Sequence, residues 1–451
     1  MSTLMVSVSG IRGIVGDGFD PHTIVKYTSA YADLIGKGKV VIGRDARITG
    51  DMVDNFVTGT LLAKGFDVVN IGICPTPTVQ FNVKELNASG GIAISASHNP
   101  NEWNALKLLN STGQFLTPDE NRIMIEKLKE ADKNFVSWDK IGKSVRYDDG
   151  IKKHVKAVLS LKYINRDAIR KRKFKVLVDC VNGAGAYVIP DLLKEFGCEV
   201  IEMNCEKTGI FPRLPEPIPE NLTATMRAVK EANADLGIVI DPDVDRLVLI
   251  TDKGEPFSEE NTITQVVRFI LSKEKGNVVV NLSTTRAVED VADEFDCKVF
   301  RSPVGEANVV KLMKEKYAVI GGEGSGGVIY PALHYGRDAL VGIAITLQHL
   351  LEFGKSLTEL KNILPKYYIH KMKVSIFNSD PDKIIESFKS NYKDEKINTD
   401  DGLRIDFKDH WLHLRKSNTE PIIRIITEAG SIEEAKKQAE KYLKEIQVFN
   451  K

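Results

Sequence analysis

The run Leu236-Gly237-Ile238-Val239-Ile240-Asp241-Pro242-Asp243-Val244-Asp245-Arg246 sets three carboxylates at alternate positions straight after an apolar stretch. A loop there can turn all three onto one hard divalent cation, and Mg²⁺ is the natural choice where phosphate is handled. Without a cation, three acids packed this closely would suffer repulsion and desolvation. The plainer reading is a solvated acidic turn with Arg246 as partial counterion. The position directly after a strand, with Pro242 fixing the turn, favours the metal.

Three further segments carry chemistry. Gly90-Gly91-Ile92-Ala93-Ile94-Ser95-Ala96-Ser97-His98-Asn99-Pro100 is a buried strand opening into small polar residues. Ser97 there has the type of a nucleophile, beside His98 and upstream of Lys107; an ordinary Asx-type turn at Asn99 is the bland alternative. Ile320-Gly321-Gly322-Glu323-Gly324-Ser325-Gly326-Gly327 surrounds one acid and one hydroxyl with glycines. Glu323 and Ser325 suit a polyol, although glycines also merely permit tight turns. The loop lacks the G-x-x-x-x-G-K-[ST] pattern of a Walker motif. Finally, His413-Leu414-Arg415-Lys416-Ser417-Asn418-Thr419-Glu420-Pro421, with Arg424, gathers cations, hydroxyls and loop amides, which is what a phosphate dianion needs.

Such groups must be aimed by rigid elements. Lys39-Val40-Val41-Ile42-Gly43-Arg44-Asp45 reads as a buried strand ending in polar residues, then a helical stretch, then a strand over 65–71. The pattern recurs at 174–179, 187–196 and 197–202, and again at 277–281, 286–295 and 297–300. Short apolar strands alternating with amphipathic helices predict parallel or mixed sheets covered on both faces, with ligands beyond the carboxyl ends of the strands. The last part differs: alternation over 367–377 and 402–414, a strand over 422–428 and a charged helix over 431–448 predict a smaller α+β domain with a half-exposed antiparallel sheet. The expected helix before it covers 347–353. The fold class is therefore α/β: three α/β domains with mixed sheets sandwiched by helices, plus a C-terminal α+β domain. Expected boundaries are 1–150, 151–253, 254–365 and 366–451, each at a turn-prone sequence.

The 451 residues carry 62 basic and 62 acidic side chains, a formal net charge of zero. That balance gives no electrostatic reason to expect nucleic acid or a membrane surface as partner. Each domain is long enough to bury its own core. Cys74, Cys180, Cys198, Cys205 and Cys297 are scattered without a C-x-x-C pair, so reduced thiols are expected. No basic stretch leads into an apolar one at the start, and no apolar run reaches the ~18–20 residues of a membrane span, so a cytoplasmic location is expected.

Taken in order, the four segments resemble the α-D-phosphohexomutase family, which comprises phosphoglucomutases, phosphomannomutases and phosphoglucosamine mutases, and the resemblance covers essentially the whole chain. It implies Ser97 as a phosphoserine, Asp241, Asp243 and Asp245 as Mg²⁺ ligands with the serine phosphate, Glu323 and Ser325 on sugar hydroxyls, and Arg415, Ser417, Asn418, Thr419 and Arg424 on the non-reacting phosphate. Ser9-Gly10-Ile11-Arg12-Gly13 looks like the family's opening motif and implies Arg12 in the active site, which lies in the cleft where four domains meet. Lys107 resembles the family's acid/base lysine, with a pKa expected to be depressed by Arg12 and the cation, and His98, beside the nucleophile, is expected to be a catalytic residue too. Three positions depart from the family pattern: Pro242 and Asn418 stand where glycine is usual, and Gly327 where many members have histidine.

The implied reaction moves phosphate between O6 and O1 of a hexose through a hexose 1,6-bisphosphate, which also serves as activator, with one Mg²⁺ per chain. Glucosamine phosphate is the expected substrate, with mannose and glucose phosphates as the alternative. The partner is a small hexose phosphate, and the chain is a monomer or homodimer. Asp241-Pro242-Asp243 also resembles the D-x-D signature of haloacid-dehalogenase-type phosphatases, which would place the phosphoenzyme on Asp241. Those enzymes usually carry it on the first strand of the core domain, and here it is mid-chain.

Overall fold

Apolar strands such as Val278–Asn281 and Leu236–Ile240 are buried along their whole length, as expected of inner strands covered on both faces. The computed structural model describes residues 2–7, 10–376, 380–416 and 422–449. Among these, the strands assemble into four sheets.

The first three sheets repeat one order. In the first, Lys39–Arg44 is flanked in parallel by Asp67–Ile73 and Gly90–Ile94, and the latter pairs antiparallel with Trp103–Leu109. In the second, Lys175–Asp179 takes the central role, Glu199–Met203 and Leu236–Ile240 flank it, and Leu247–Thr251 turns back antiparallel. In the third, the same places are held by Val278–Asn281, Val299–Ser302, Ile320–Glu323 and Gly327–Ile329. The first sheet is widened by Gly10–Val15 beside Trp103–Leu109 and by Ser144–Arg146 at the opposite edge. In each copy the only reversal joins third strand to fourth. The connecting loops, 95–102, 241–246 and 324–326, therefore sit at the carboxyl end of the third strand, and they contain the serine, aspartate and glycine-rich segments.

The fourth sheet is antiparallel, in the order Tyr368–Ser375, Ile422–Ala429, His410–Lys416, Leu403–Asp406, Lys396–Asn398. The alternation over 402–414 covers two of these strands, which reverse at 407–409, where the Phe407 amide donates to the His410 carbonyl at 2.9 Å. The helices Pro381–Asn391 and Ile432–Phe449 accompany the sheet, and Ile384, Phe388, Tyr442 and Ile446 close its own core.

Two expectations are corrected. The helix read as 347–353 begins at Ala339 and runs to Phe353, capped by Asp338, whose Oδ1 accepts from the Leu340 amide at 2.9 Å. Its first twelve residues, Ala339 to Leu350, are all buried, so it shows no polar face for a periodicity to detect. That burial also overturns the expectation of one core per domain. The helix packs on both Leu247–Thr251 and Gly327–Ile329, and Ile238, Leu249, Ile263, Val280, Ile320 and Leu347 belong to one continuous apolar cluster.

Candidate functional site

Ser97 stands just after its strand with φ 50°, a left-handed conformation that costs a serine about 1–2 kcal/mol. A buried brace holds it there. The Ser97 amide donates to Ser95 Oγ at 2.9 Å, and Ser95 Oγ donates to Asp45 Oδ2 at 2.6 Å. Asp45 pairs with Arg47 at 3.0 Å, both side chains being wholly buried. Arg47 in turn donates to the carbonyls of Ser97 and Asn99, each at 2.7 Å, and of Pro100 at 2.5 Å. Its guanidinium lies 4.8 Å from the centroid of the Phe211 ring, from the second domain. The serine loop is thus shaped by the end of a neighbouring strand.

The Ser97 hydroxyl donates to Asp241 Oδ2 at 2.8 Å, joining the first and second domains, and its contact with His98 Nδ1 is longer, at 3.4 Å. Burial, then Arg246, pushes His98 down to about 2, so the ring is neutral. Asp241, Asp243 and Asp245 are all buried, and one ligand oxygen from each lies within 4.8 Å of the others. Val244 between them has φ 66°, an outlier for a β-branched residue. The loop is wedged by the second domain: the Ala184 amide donates to the Pro242 carbonyl at 2.8 Å, and a side chain at Gly183 would meet Pro242 Cα at 2.7 Å.

Charge within this triplet is unequally settled. Burial, Asp245 and Asp243 push the Asp241 carboxyl well above the usual range. Asp245 lies below it, because Arg337, Lys107 and Arg246 together outweigh the effect of its burial. Asp243 Oδ1 and Asp245 Oδ1 are buried among polar neighbours without a hydrogen-bond partner. Two orphaned carboxylate oxygens on one loop fit a hard cation: oxygen donors, close convergence and lone pairs left free.

Lys107, on the strand Trp103–Leu109, reaches Asp243 Oδ2 at 2.6 Å and Asp245 Oδ2 at 3.7 Å. Burial alone would lower its pKa, but Asp243 and Asp245 outweigh it and the net shift is upward. The aspartates, not Arg12, set the field at the ammonium. Arg12 Nη1 donates to Asn99 Oδ1 at 3.4 Å.

Glu323 is anchored by three donors. It accepts from Asn281 Nδ2 at 2.8 Å, from the Gly305 amide at 3.0 Å and from Arg337 Nη1 at 2.6 Å. Arg337 also grips Asp245 at 2.5 Å and Glu306 at 3.1 Å, tying the sugar loop to the aspartate loop. A Cβ at Gly327 would come 2.3 Å from Arg337 Cδ, so this arginine fills the space a histidine would need. Ser325, Arg415 and Arg424 line the same cavity of about 680 Å³ as Arg12, Ser97, His98, Lys107 and Glu323, a size suited to a small polar ligand. Arg415 pairs with Asp401 at 3.0 Å. Ser417, Asn418 and Thr419 lie outside the described residues.

The sequence pattern gives Asp45 and Asn281 only as strand ends, with no role, and does not single out Arg47 or Arg337. All but Arg337 sit at or just after the carboxyl end of a strand, where the ligand rule for open α/β sheets directs the search.

The chain matches phosphoglucomutase/phosphomannomutase alpha/beta/alpha domain I over residues 4–135, domain II over 152–254, domain III over 260–368 and the C-terminal domain over 378–445. It is 37% identical over 440 residues to the phosphoglucomutase/phosphomannomutase of Thermococcus kodakarensis, covering 96% of each chain. It is 35% identical over 439 residues to a Methanopyrus kandleri protein named probable phosphoglucosamine mutase, again covering 96% of each. In three dimensions it resembles a phosphoglucomutase/phosphomannomutase family protein from Burkholderia thailandensis, with TM-score 0.84, 25% identity and 98% of each chain covered. Four domains matched in order over nearly the full length leave no room for a haloacid-dehalogenase architecture: the chain belongs to the phosphoglucomutase/phosphomannomutase family of α-D-phosphohexomutases and is an isomerase of the mutase class.

Proposed function

We propose that this chain moves phosphate between O6 and O1 of a hexose through a phosphoserine at Ser97, with glucosamine phosphate as its preferred substrate. The observation that carries the reading is the Ser97 hydroxyl, held in a left-handed turn against Asp241 at the mouth of the shared cavity. In the first half-reaction the P–O bond to Ser97 Oγ breaks as a bond forms from the same phosphorus to the free sugar hydroxyl. The hydroxyl's proton passes to the site, and a hexose 1,6-bisphosphate results. After reorientation the other phosphate returns to Ser97 Oγ, that proton is given back to the released hydroxyl, and the serine is again phosphorylated. Lys107 is the group we assign to this proton exchange: its amine takes the proton of the attacking hydroxyl and passes it to the departing Ser97 Oγ, and the reverse in the second half, with Asp243 and Asp245 holding the ammonium in between.

Asp241, Asp243 and Asp245, with the serine phosphate, would hold one Mg²⁺, whose chemistry is to neutralise charge on the transferring phosphoryl group. Arg47 and Asp45 keep the serine loop in register, and Arg337 keeps the aspartate and sugar loops at a fixed separation. Glu323 and Ser325 read sugar hydroxyls. Arg415 and Arg424, with Ser417, Asn418 and Thr419, grip the phosphate that is not reacting. On this reading 1–150 supplies the nucleophile, 151–253 the metal loop, 254–365 the sugar loop and 366–451 the phosphate loop, and the last opens to let the intermediate turn.

The preference for glucosamine is supported by the likeness of the Ser95–Lys107 stretch to members assigned that reaction and by relatives named probable phosphoglucosamine mutase. Intact-protein mass spectrometry should show one phosphate, lost in Ser97→Ala together with mutase activity; full activity in Ser97→Ala would overturn the mechanism. Comparing kcat/KM on glucosamine, mannose and glucose phosphates tests the sugar.

A further inference from the structure

The strand Tyr368–Ser375 contributes a cation that neither the motif nor the family resemblance includes. In the fourth sheet Lys373 pairs directly with Arg424, and Arg424 with Arg415, so three positive side chains form one row across three adjacent strands. All three line the cavity that holds Ser97. Like charges placed directly opposite are unfavourable in a sheet. Asp401 answers Arg415, but among the described residues no carboxylate stands within ion-pair distance of Lys373 or Arg424. Arg12 approaches from the first domain, and its pKa is lowered by burial and then by Arg424. Among the described residues the row is therefore a concentration of positive charge facing the cavity.

We infer that Lys373 is a further ligand of the non-reacting phosphate, completing with Arg415 and Arg424 a three-cation seat for a dianion. This rests on the phosphohexomutase reading above. The geometry distinguishes Lys373 from Lys371, which lines the same cavity but pairs with Ile426, away from the arginine row. Because the intermediate presents either phosphate to this seat in turn, Lys373 serves both directions of the reaction. Its exposed position on the strand makes removal of the charge compatible with folding.

The test is calorimetric binding of glucose 1,6-bisphosphate to the Ser97→Ala protein, with and without Lys373→Met, over a range of salt. Lys373→Met should weaken binding about tenfold and flatten the salt dependence, Lys373→Arg should restore both, and Lys371→Met should change affinity less than threefold. In Ser97-containing enzyme, Lys373→Met should raise KM for both the 1-phosphate and the 6-phosphate. Unchanged affinity in Lys373→Met, or an equal loss in Lys371→Met, would overturn the assignment. An active Ser97→Ala enzyme would instead fell the mechanism and leave the binding result standing.

Discussion

At the scale of single residues, the site is a set of oxygens and cations whose partners come from distant parts of the chain. The aspartates were legible because they are neighbours in sequence. Arg337 was not, because it reaches Asp245 across 92 positions and belongs to no local pattern. Asp243→Asn removes one carboxylate from the triplet and should weaken Mg²⁺ binding at least tenfold, read by calorimetry on the purified chain. Gly327→His should lower activity by an order of magnitude or more, because its Cβ collides with the Arg337 stem. Kinetics of the single variant check this, and an active Gly327→His enzyme would show that Arg337 can be moved without loss.

Elements decide whether those residues arrive in the right place. Alternating strands and helices were readable from apolar runs, and the sheet order adds why three of the chemical loops are equivalent: each is the third-to-fourth strand reversal of one unit. What the runs concealed was the brace behind the serine. Arg47 looks like an ordinary polar residue after a strand, yet it is buried and bound to three carbonyls of another loop. Arg47→Met leaves Asp45 buried without its counterion, which should cost about 3–5 kcal/mol of stability by urea denaturation. In variant molecules that remain folded, kcat should drop while KM changes little, since the nucleophile's turn and not the sugar contacts is disturbed. The helix Ala339–Phe353 was legible only at its end, because an element buried on every side shows little period to detect.

On the scale of the whole molecule, the fourth domain attaches differently from the rest. Its contacts with the third are polar: the Arg286 amide to Glu428 at 3.0 Å, the Val304 amide to Asp401 at 3.0 Å, and Ser283 to His413 at 3.0 Å. Interfaces of that kind leave relative motion as the default. His413 is wholly buried there, and burial, with Arg415 and Arg404 nearby, pushes its pKa down to about 4. The unfolded chain binds that proton near the ordinary histidine value of about 6.5. The folded state is therefore favoured fully above about pH 6.5 and loses this contribution as pH falls towards 4. Melting temperature should decline across that window, and His413→Gln should make the decline shallower; an identical slope would show that other groups govern it.

The single apolar cluster beneath the second and third sheets has a consequence for how such a molecule can be divided. A cut between the aspartate loop and the sugar loop would lay open two facing hydrophobic surfaces, including Leu249, Ile263 and Val280. Neither half could dissolve, whatever chemistry its loops retained. Limited proteolysis should accordingly release the last domain as a soluble fragment and spare the middle of the chain. The two central units must be inherited, synthesised and lost together, whereas the last domain, with a core of its own, is free to be exchanged.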